Sequence, residues 1–253
     1  MPTVVPDRPG KTDAVNDLGD VTAAILAGGL GSRLQPVVAD RPKAMAEVQG
    51  RPFLTYLFDQ LIGGGVRDAV LCTGYLGDHI KRSFGESYET LRLTYSREPT
   101  ALGTAGALRL ALPLLNSDPV LVMNGDSYCQ ADLQRFRIWH DRCCAKASLL
   151  LTEVSDTRRF GRVQVDGDGA VSAFSEKGKE DGPGWINAGV YLLDRCVLTE
   201  VPMARPVSLE REVLPGWIGR GLYGFCNRAR FVDIGNPESY AEAQIFFRAG
   251  LEG

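Results

Sequence analysis

The chain has 253 residues, of which 44% are hydrophobic and 23% charged, an ordinary composition for a soluble globular protein and a length that suits one α/β domain. The formal net charge of −3 leaves no basic excess to neutralise a nucleic-acid backbone, which argues against a general nucleic-acid binder. No apolar run approaches the ~20 residues that span a bilayer, so we expect a cytoplasmic protein without a membrane partner.

Residues 1–19 differ in composition from the rest of the chain. They hold three prolines, several charges and only scattered hydrophobic residues. They lack the apolar core of ~7–15 residues that a secretion signal requires. We expect a flexible tail over 1–19 and a single domain over 20–253.

Apolar runs alternate with helical patterns in the first part of this domain. Strands are predicted at 21–27, 68–73, 91–95 and 119–123. Helices are predicted at 52–61, 76–84 and 104–115. The alternation is typical of a Rossmann-like α/β fold, with a parallel sheet flanked by helices on both faces.

Strands predominate after about residue 145. One is predicted over 147–153 and another over 185–193. Between them, 161–165 and 170–174 are predicted to form a hairpin around an Asp-Gly turn. We therefore expect a mixed sheet that is mostly parallel.

The first predicted strand leads into a glycine-rich loop with the sequence Leu26-Ala27-Gly28-Gly29-Leu30-Gly31-Ser32-Arg33. Glycines let a backbone approach a bulky ligand, and consecutive N–H groups can cradle an anion. Arg33 and Lys43 add two cations suited to phosphate. A dinucleotide fingerprint would need glycine at Leu34, and a Walker loop would end in Gly-Lys-Ser/Thr. A plain glycine turn is the alternative, but the two cations favour a polyphosphate site.

Further short motifs follow along the chain, at 102–106, 124–126, 176–177, 187–189 and 231–235. Together with 27–33 and 42–45, they resemble in content and order the signature of the sugar-1-phosphate nucleotidyltransferases. Within that family the chain most resembles the D-glycero-α-D-manno-heptose 1-phosphate guanylyltransferases. The resemblance implies the nucleotide-diphospho-sugar transferase fold. It also implies a nucleotide half over about 20–145 and a sugar-binding half over about 146–253.

The resemblance implies a reaction between a nucleoside triphosphate, here GTP, and a sugar 1-phosphate, with Mg²⁺ as cofactor and pyrophosphate as leaving group. A phosphate monoester is largely ionised at neutral pH, because its second pKa is about 6, and needs no general base. This agrees with a chain that has two histidines and shows no Ser-His-Asp arrangement. Cations, backbone donors and a divalent metal are then the parts required.

The resemblance implies nucleotide binding by both glycine loops and the end of the fourth strand, through Leu26, Ala27, Gly28, Gly29, Gly31, Ser32, Arg33, Lys43, Gly103, Thr104, Asn124 and Gly125. Arg33, Lys43 and Asp126 are the expected catalytic residues. Thr104 is alternatively an ordinary helix N-cap. The preceding Thr100-Ala101 departs from the shortest family form by one residue.

Two aspartates are candidate metal ligands. Asp126 follows an apolar strand and a glycine, where a carboxylate suits a hard cation, although a turn-capping role is the alternative. Asp233 lies within an apolar run and needs a partner to offset its desolvation, either a metal or an arginine such as Arg230. The resemblance implies that both bind the metal.

Sugar-phosphate binding is implied by the resemblance for Glu176, Lys177, Asn187 and Gly189. The alternative for Glu176-Lys177 is a solvated ion pair, which contributes little. The neighbouring hairpin contains Gly161, expected to be structural, and three arginines expected at the surface, Arg158, Arg159 and Arg162.

The remaining features leave alternatives open. The six cysteines form no C-x-x-C pair and are expected to be small buried side chains. Mannose 1-phosphate, or another hexose 1-phosphate with UTP or dTTP, remains an alternative substrate set. A non-catalytic nucleotide-sugar sensor and a glycosyltransferase are alternatives of other classes, although the latter usually shows Asp-x-Asp where this chain has Asn124-Gly125-Asp126. The oligomeric state stays open, a homo-oligomer included.

Overall fold

A computed structural model of the chain describes residues 17–29, 34, 41–74, 76–175, 177–178, 181–203 and 205–248. Its strands are β1 (Thr22–Leu26), β2 (Glu47–Val48), β3 (Arg51–Pro52), β4 (Asp68–Thr73), β5 (Ser87–Tyr88), β6 (Leu91–Arg97), β7 (Val120–Asn124), β8 (Ser127–Cys129), β9 (Ala147–Val154), β10 (Val163–Val165), β11 (Val171–Phe174), β12 (Gly184–Leu193), β13 (Leu222–Asn227) and β14 (Phe231–Asp233). Its α-helices are α1 (Phe53–Gly63), α2 (Gly77–Phe84), α3 (Gly103–Ala111), α4 (Leu133–Arg142), α5 (Arg195–Thr199), α6 (Leu214–Gly216) and α7 (Pro237–Arg248).

Eight strands form the central sheet in the order β13-β9-β12-β7-β1-β4-β6-β5. β1 lies between β4 and β7 and is parallel to both, while β6 is parallel to β4 and β13 to β9. β12 runs antiparallel to β7 and β9, and β5 runs antiparallel to β6. The prediction of a mixed, mostly parallel sheet is confirmed.

Hydrophobic residues cover both faces of the sheet. Successive residues of β1 alternate, with Ala23 and Ile25 packing in one cluster and Ala24 in the other. The first cluster takes side chains from α1, α2 and α4, and the second from α3, α5 and α6. A third, smaller cluster packs α7 against β14 and α1. The sheet is therefore a rigid layer whose strand ends can carry a site.

Most predicted elements are confirmed to within a few residues, and the hairpin of β10 with β11 pairs Val163 with Phe174. The helix predicted over 104–115 is shorter, because α3 ends at Ala111 and a 3-10 turn, Leu112–Leu114, follows. Pro113 lies in this turn, and proline cannot donate the backbone hydrogen bond that would continue an α-helix.

The elements that were not predicted are the helices α4, α5, α6 and α7 and the strands β2, β3, β5, β8, β13 and β14. β8 and β14 pair with each other far apart in the sequence, placing Asp233 opposite Ser127. α4 begins after Asp132, whose carboxylate accepts the N–H groups of Gln134 and Arg135. The pairing of β8 with β14 matters most here, because it carries Asp233 to the strand that follows Asp126.

Three observations bear on the remaining predictions. Leu18, inside the predicted tail, is 1% exposed, whereas residues 1–16 lie outside the described part of the chain. No helix among the described residues is long and apolar enough to cross a bilayer. The expectation of buried cysteines is confirmed for Cys72 and Cys129. It is wrong for three cysteines whose side chains are exposed: Cys144 in a turn, Cys196 in the short helix α5 and Cys226 in the edge strand β13.

Candidate active site

A cleft of about 450 Å³ opens at the carboxyl ends of β1 and β7. Its walls combine both glycine loops with the strand ends, and its lining residues are Leu26, Ala27, Gly28, Gly29, Lys43, Ala44, Glu98, Ala101, Gly103, Thr104, Asn124, Gly125, Asp126 and Gly235. Ligands of open α/β sheets bind at this edge. Most residues of the predicted nucleotide set are thus brought together, while Gly31, Ser32 and Arg33 lie outside the described residues.

Close packing leaves little room for a side chain at the glycines that follow β1 and β7. A Cβ on Gly28 would lie 2.5 Å from Glu98 Oε1 and 3.1 Å from the backbone nitrogen of Gly74. A Cβ on Gly125 would lie 2.7 Å from the carbonyl oxygen of Leu26, which accepts the Gly125 N–H. The backbone is therefore closely packed where β1, β4 and β7 end around the cleft.

Lys43 and Asp126 form an ion pair in this cleft. Lys43 begins the 3-10 turn Lys43–Met45, which is anchored by buried Ala44 and Met45. Its Nζ lies 2.6 Å from Asp126 Oδ2, and the side chains of Lys43 and Asp126 are 13% and 46% exposed. The structure therefore brings together Lys43, the predicted catalytic cation, and Asp126, the predicted metal ligand, which are 83 positions apart in the sequence.

Asp233 lies beside this pair. The Ile234 N–H donates to the carbonyl oxygen of Asp126, and the Gly235 N–H donates to Asp233 Oδ1 at 2.8 Å. A Cβ on Gly235 would lie 3.1 Å from Asp233 Oδ1 and 3.8 Å from Lys43 Nζ, so these groups converge on one small region.

The partner of Asp233 is Arg159, whose Nη2 lies 3.3 Å from Asp233 Oδ2. The alternative of Arg230 is wrong, because Arg230 donates to the carbonyl of Phe246 and lies over its ring. Arg159 is 44% exposed, so the expectation of a surface residue is confirmed, and the residue also forms this ion pair. The turn before β10 carries it across to β14.

The chemistry of this donor set fits a hard divalent cation. Two carboxylates lie near each other, and each faces a positive side chain that offsets its charge. Magnesium is commonly held by one or two carboxylates with substrate phosphates and water, not by a complete protein cage. The described part of the chain contains no group of three or more His, Cys, Asp or Glu residues that could hold a metal ion.

The second glycine loop is fixed by backbone contacts. Gly103 has φ of +74°, and a Cβ there would lie 2.5 Å from the Val207 carbonyl oxygen. The same oxygen accepts the N–H groups of Ala105 and Gly106. Thr104 is not the N-cap of α3, since its hydroxyl donates to Glu210 and the capping position is Leu102.

Glu98 is a cleft residue that sequence reasoning did not select, although it lies in the Ser96-Arg97-Glu98-Pro99 lead-in to the loop. Its Oε2 accepts the N–H of Leu102 at 2.8 Å. Burial raises the pKa of the Glu98 carboxyl, and the Leu102 hydrogen bond opposes that rise. An acceptor with a displaced pKa inside a cleft is a candidate ligand-binding group.

Two of the predicted sugar-binding residues, Asn187 and Gly189, lie beside the cleft lining. Asn187 Nδ2 donates to the Tyr191 hydroxyl, and Asn187 Oδ1 accepts the Gly189 N–H, both at 2.9 Å. Gly189 has φ of +77°, and a Cβ there would lie 2.8 Å from Asn124 Nδ2. Asn124 lines the cleft, and its Oδ1 is buried without a partner among the described residues. Lys177 is exposed, and Glu176 lies outside the described residues.

A Ser-His-Asp arrangement exists, contrary to the sequence-based expectation. His140 Nδ1 lies 2.9 Å from Ser148 Oγ, and His140 Nε2 lies 3.3 Å from Asp194 Oδ1. Ser148 is fully buried and pairs with Leu192 near the start of β7, whereas the cleft lies at the end of β7. The arrangement therefore cannot reach a ligand in the cleft, and no nucleophilic serine is implied.

The fold and the cleft together define an α/β protein with a ligand-sized cleft at the carboxyl ends of its strands, bordered by glycines, a lysine and two aspartates. A family model described as nucleotidyl transferase matches residues 22–249. The chain belongs to the nucleotidyl transferase family.

Relatives and solved structures agree with this assignment. The chain is 36% identical over 223 residues to a D-glycero-alpha-D-manno-heptose 1-phosphate guanylyltransferase of Aneurinibacillus thermoaerophilus. This alignment covers 88% of this chain and 96% of that relative. The chain is also 36% identical over 235 residues to a mannose-1-phosphate guanylyltransferase of Mycobacterium tuberculosis. This alignment covers 91% of this chain but only 66% of that relative, just under two thirds of its length. HddC from Yersinia pseudotuberculosis has a TM-score of 0.81 at 34% identity, covering 90% of this chain and 99% of HddC. HddC has also been solved in complex with GMP-PN.

Proposed function

We propose that the protein is a metal-dependent guanylyltransferase that joins GTP to a sugar 1-phosphate, with D-glycero-α-D-manno-heptose 1-phosphate as the preferred acceptor. A phosphate oxygen of the sugar attacks the α-phosphorus of GTP, the bond to the β-phosphate bridging oxygen breaks, and pyrophosphate leaves. The observation that carries the proposal is the ion pair of Lys43 with Asp126 beside Asp233, at the edge of the sheet where the glycine loop follows β1.

The triphosphate is assigned to the first glycine loop. A Cβ on Gly29 would meet nothing within 4 Å, so the loop leaves open space at this position. Lys43 already reaches into the cleft, and by family resemblance Arg33, Gly31 and Ser32 complete the phosphate contacts. Cations and backbone donors that offset phosphate charge are the main means of catalysis in phosphoryl transfer.

Asp126 and Asp233 would hold Mg²⁺, which would offset charge on the triphosphate when bound. Lys43 and Arg159 hold these carboxylates in the ligand-free protein. Both cations have flexible side chains and lie close enough to the same region to turn towards phosphate oxygens.

Glu98 supports a guanine base. Its Oε2 is used by Leu102, but Oε1 lies beside the Cα of Gly28 within the cleft. Guanine presents two adjacent N–H donors on its N1 and N2 atoms, whereas uracil and thymine present one N–H on that edge. An ionised carboxyl is an acceptor only and so favours the base with more donors.

The sugar is assigned to the second half of the chain, about 146–253, where Glu176, Lys177, Asn187 and Gly189 match the family's sugar-phosphate motifs. The alignment with the heptose relative includes 96% of that relative, so nearly all of its residues have a counterpart in this chain. The mannose relative is equally identical and supports the alternative acceptor. Since an additional carbon is discriminated weakly in a pocket, we expect mannose 1-phosphate to be a poorer substrate that is still used.

A panel assay tests this proposal. GTP, ATP, UTP and dTTP are each combined with the heptose, mannose and glucose 1-phosphates, and pyrophosphate release is measured with and without EDTA. We expect GTP with the heptose phosphate to give the highest kcat/KM and EDTA to abolish turnover. Preference for UTP or dTTP with glucose 1-phosphate would contradict the proposed substrates, and no turnover with any pair would favour a non-catalytic sensor.

A further inference from the structure

Glu210 is at the centre of a hydrogen-bonded network next to the cleft. It lies on a single π-helical turn, Leu209–Val213, and such turns are frequent at functional sites. Its Oε2 accepts from Thr104 Oγ1 at 2.8 Å and from Ser208 Oγ at 3.1 Å. Its Oε1 accepts from the Tyr191 hydroxyl at 3.2 Å. Three hydroxyl protons therefore point to one side chain.

On one side of Glu210 the network sets the orientation of Asn187. The hydroxyl of the fully buried Tyr191 has a single proton and donates it to Glu210, so its oxygen can only accept. Asn187 must therefore present its Nδ2 to Tyr191, and this turns its Oδ1 to the Gly189 N–H. Gly189 packs against Asn124, which lines the cleft.

On the other side the network holds the second glycine loop. The Thr104 hydroxyl donates its proton to Glu210 and accepts the N–H of Leu209 at 2.8 Å. This hydroxyl is therefore engaged on both sides within the protein. The first turn of α3, including Gly103 in the cleft lining, is thereby attached to the turn that carries Glu210.

We propose that Glu210 is a positioning residue that holds the nucleotide loop and the Asn187–Gly189 segment in their binding geometry at the same time. The inference rests on the proposed function. It assigns Thr104 and Asn187 to supporting roles, with backbone groups of the loop and the segment left to meet the substrates. An acceptor with two oxygens is required, because all three hydroxyl donors must be satisfied together.

Glu210→Gln tests the inference, because one oxygen becomes an amide donor and at least one hydroxyl must turn around. We expect the KM for the sugar 1-phosphate and the Kd for GTP each to rise about tenfold, the effect of about one hydrogen bond. Tyr191→Phe should raise only the sugar KM, and Thr104→Val only the GTP Kd. Steady-state kinetics and calorimetric titration with GTP separate the two quantities.

Glu212→Gln is the matched control, since Glu212 lies on the same turn and bonds the Ser208 N–H and Arg205 away from the cleft. It should leave both constants unchanged. If Glu210→Gln lowers the unfolding temperature but leaves both constants at wild-type values, the residue is merely structural and the inference is overturned. Absence of turnover in the wild type would instead overturn the proposed function on which the inference rests.

Discussion

At the scale of single residues, charge in this protein is arranged in two different ways. In the cleft, the carboxylates of Asp126 and Asp233 are partly exposed and paired with cations that a ligand can displace. At the opposite end of β7, His140 is 2% exposed and fixed between Ser148 and Asp194. The partly exposed ion pairs in the cleft allow a ligand to replace one partner, whereas the buried contacts of His140 stabilise the fold.

His140 predicts a pH dependence of stability. Burial lowers the pKa of His140 below its ordinary value of 6.5, although Asp194 opposes that shift. The unfolded chain then takes up the proton more readily than the folded chain, so the free energy of unfolding decreases as the pH falls below about 6.5. Urea unfolding between pH 8 and pH 5.5 should show this decrease, and His140→Gln should reduce it. Equal pH slopes in the two proteins would contradict the account.

At the scale of elements, the sequence predicts helices and strands formed by neighbouring residues, but it does not predict pairings between residues far apart in the chain. The longer strands and helices up to β7 follow from hydrophobic period, whereas the two-residue strands β2, β3 and β5 were not predicted. The glycine loop and Lys43 are predicted from their own residue types. The pairing of β8 with β14, and of Arg159 with Asp233 across 74 positions, leaves no local pattern. The alternative of Thr104 as an N-cap is wrong for the same reason, because its partner Glu210 is 106 residues away.

The ion pair between the turn before β10 and β14 gives a second prediction at this scale. Arg159→Ala removes the cation that competes for Asp233, so the free protein should bind Mn²⁺, measured by calorimetry, up to about fivefold more tightly, as expected for a partly exposed pair. Arg158→Ala is the control, because Arg158 pairs with Asp156 instead. Weaker Mn²⁺ binding after loss of Arg159 would show that the arginine supports a metal site instead of competing for it.

At the scale of the whole molecule, segments from both halves of the chain meet where the parallel strands β1 and β7 end. β1 and β7 end beside each other, β12 lies next to β7, and β14 returns to the same edge. The cleft is therefore lined mainly by residues of the first half of the chain, with Gly235 contributed by the second half. Under the proposed function, both substrates bind at this edge of the sheet and react with each other, not with water.

Product identity tests that central claim most directly. ³¹P NMR follows a mixture of the protein, Mg²⁺, GTP and D-glycero-α-D-manno-heptose 1-phosphate. The account predicts that GTP and sugar phosphate signals decline together, while pyrophosphate and the diphosphate diester of a GDP-sugar appear in equal amounts. GDP with inorganic phosphate, or GMP with pyrophosphate and unconsumed sugar phosphate, would show hydrolysis and contradict nucleotidyl transfer.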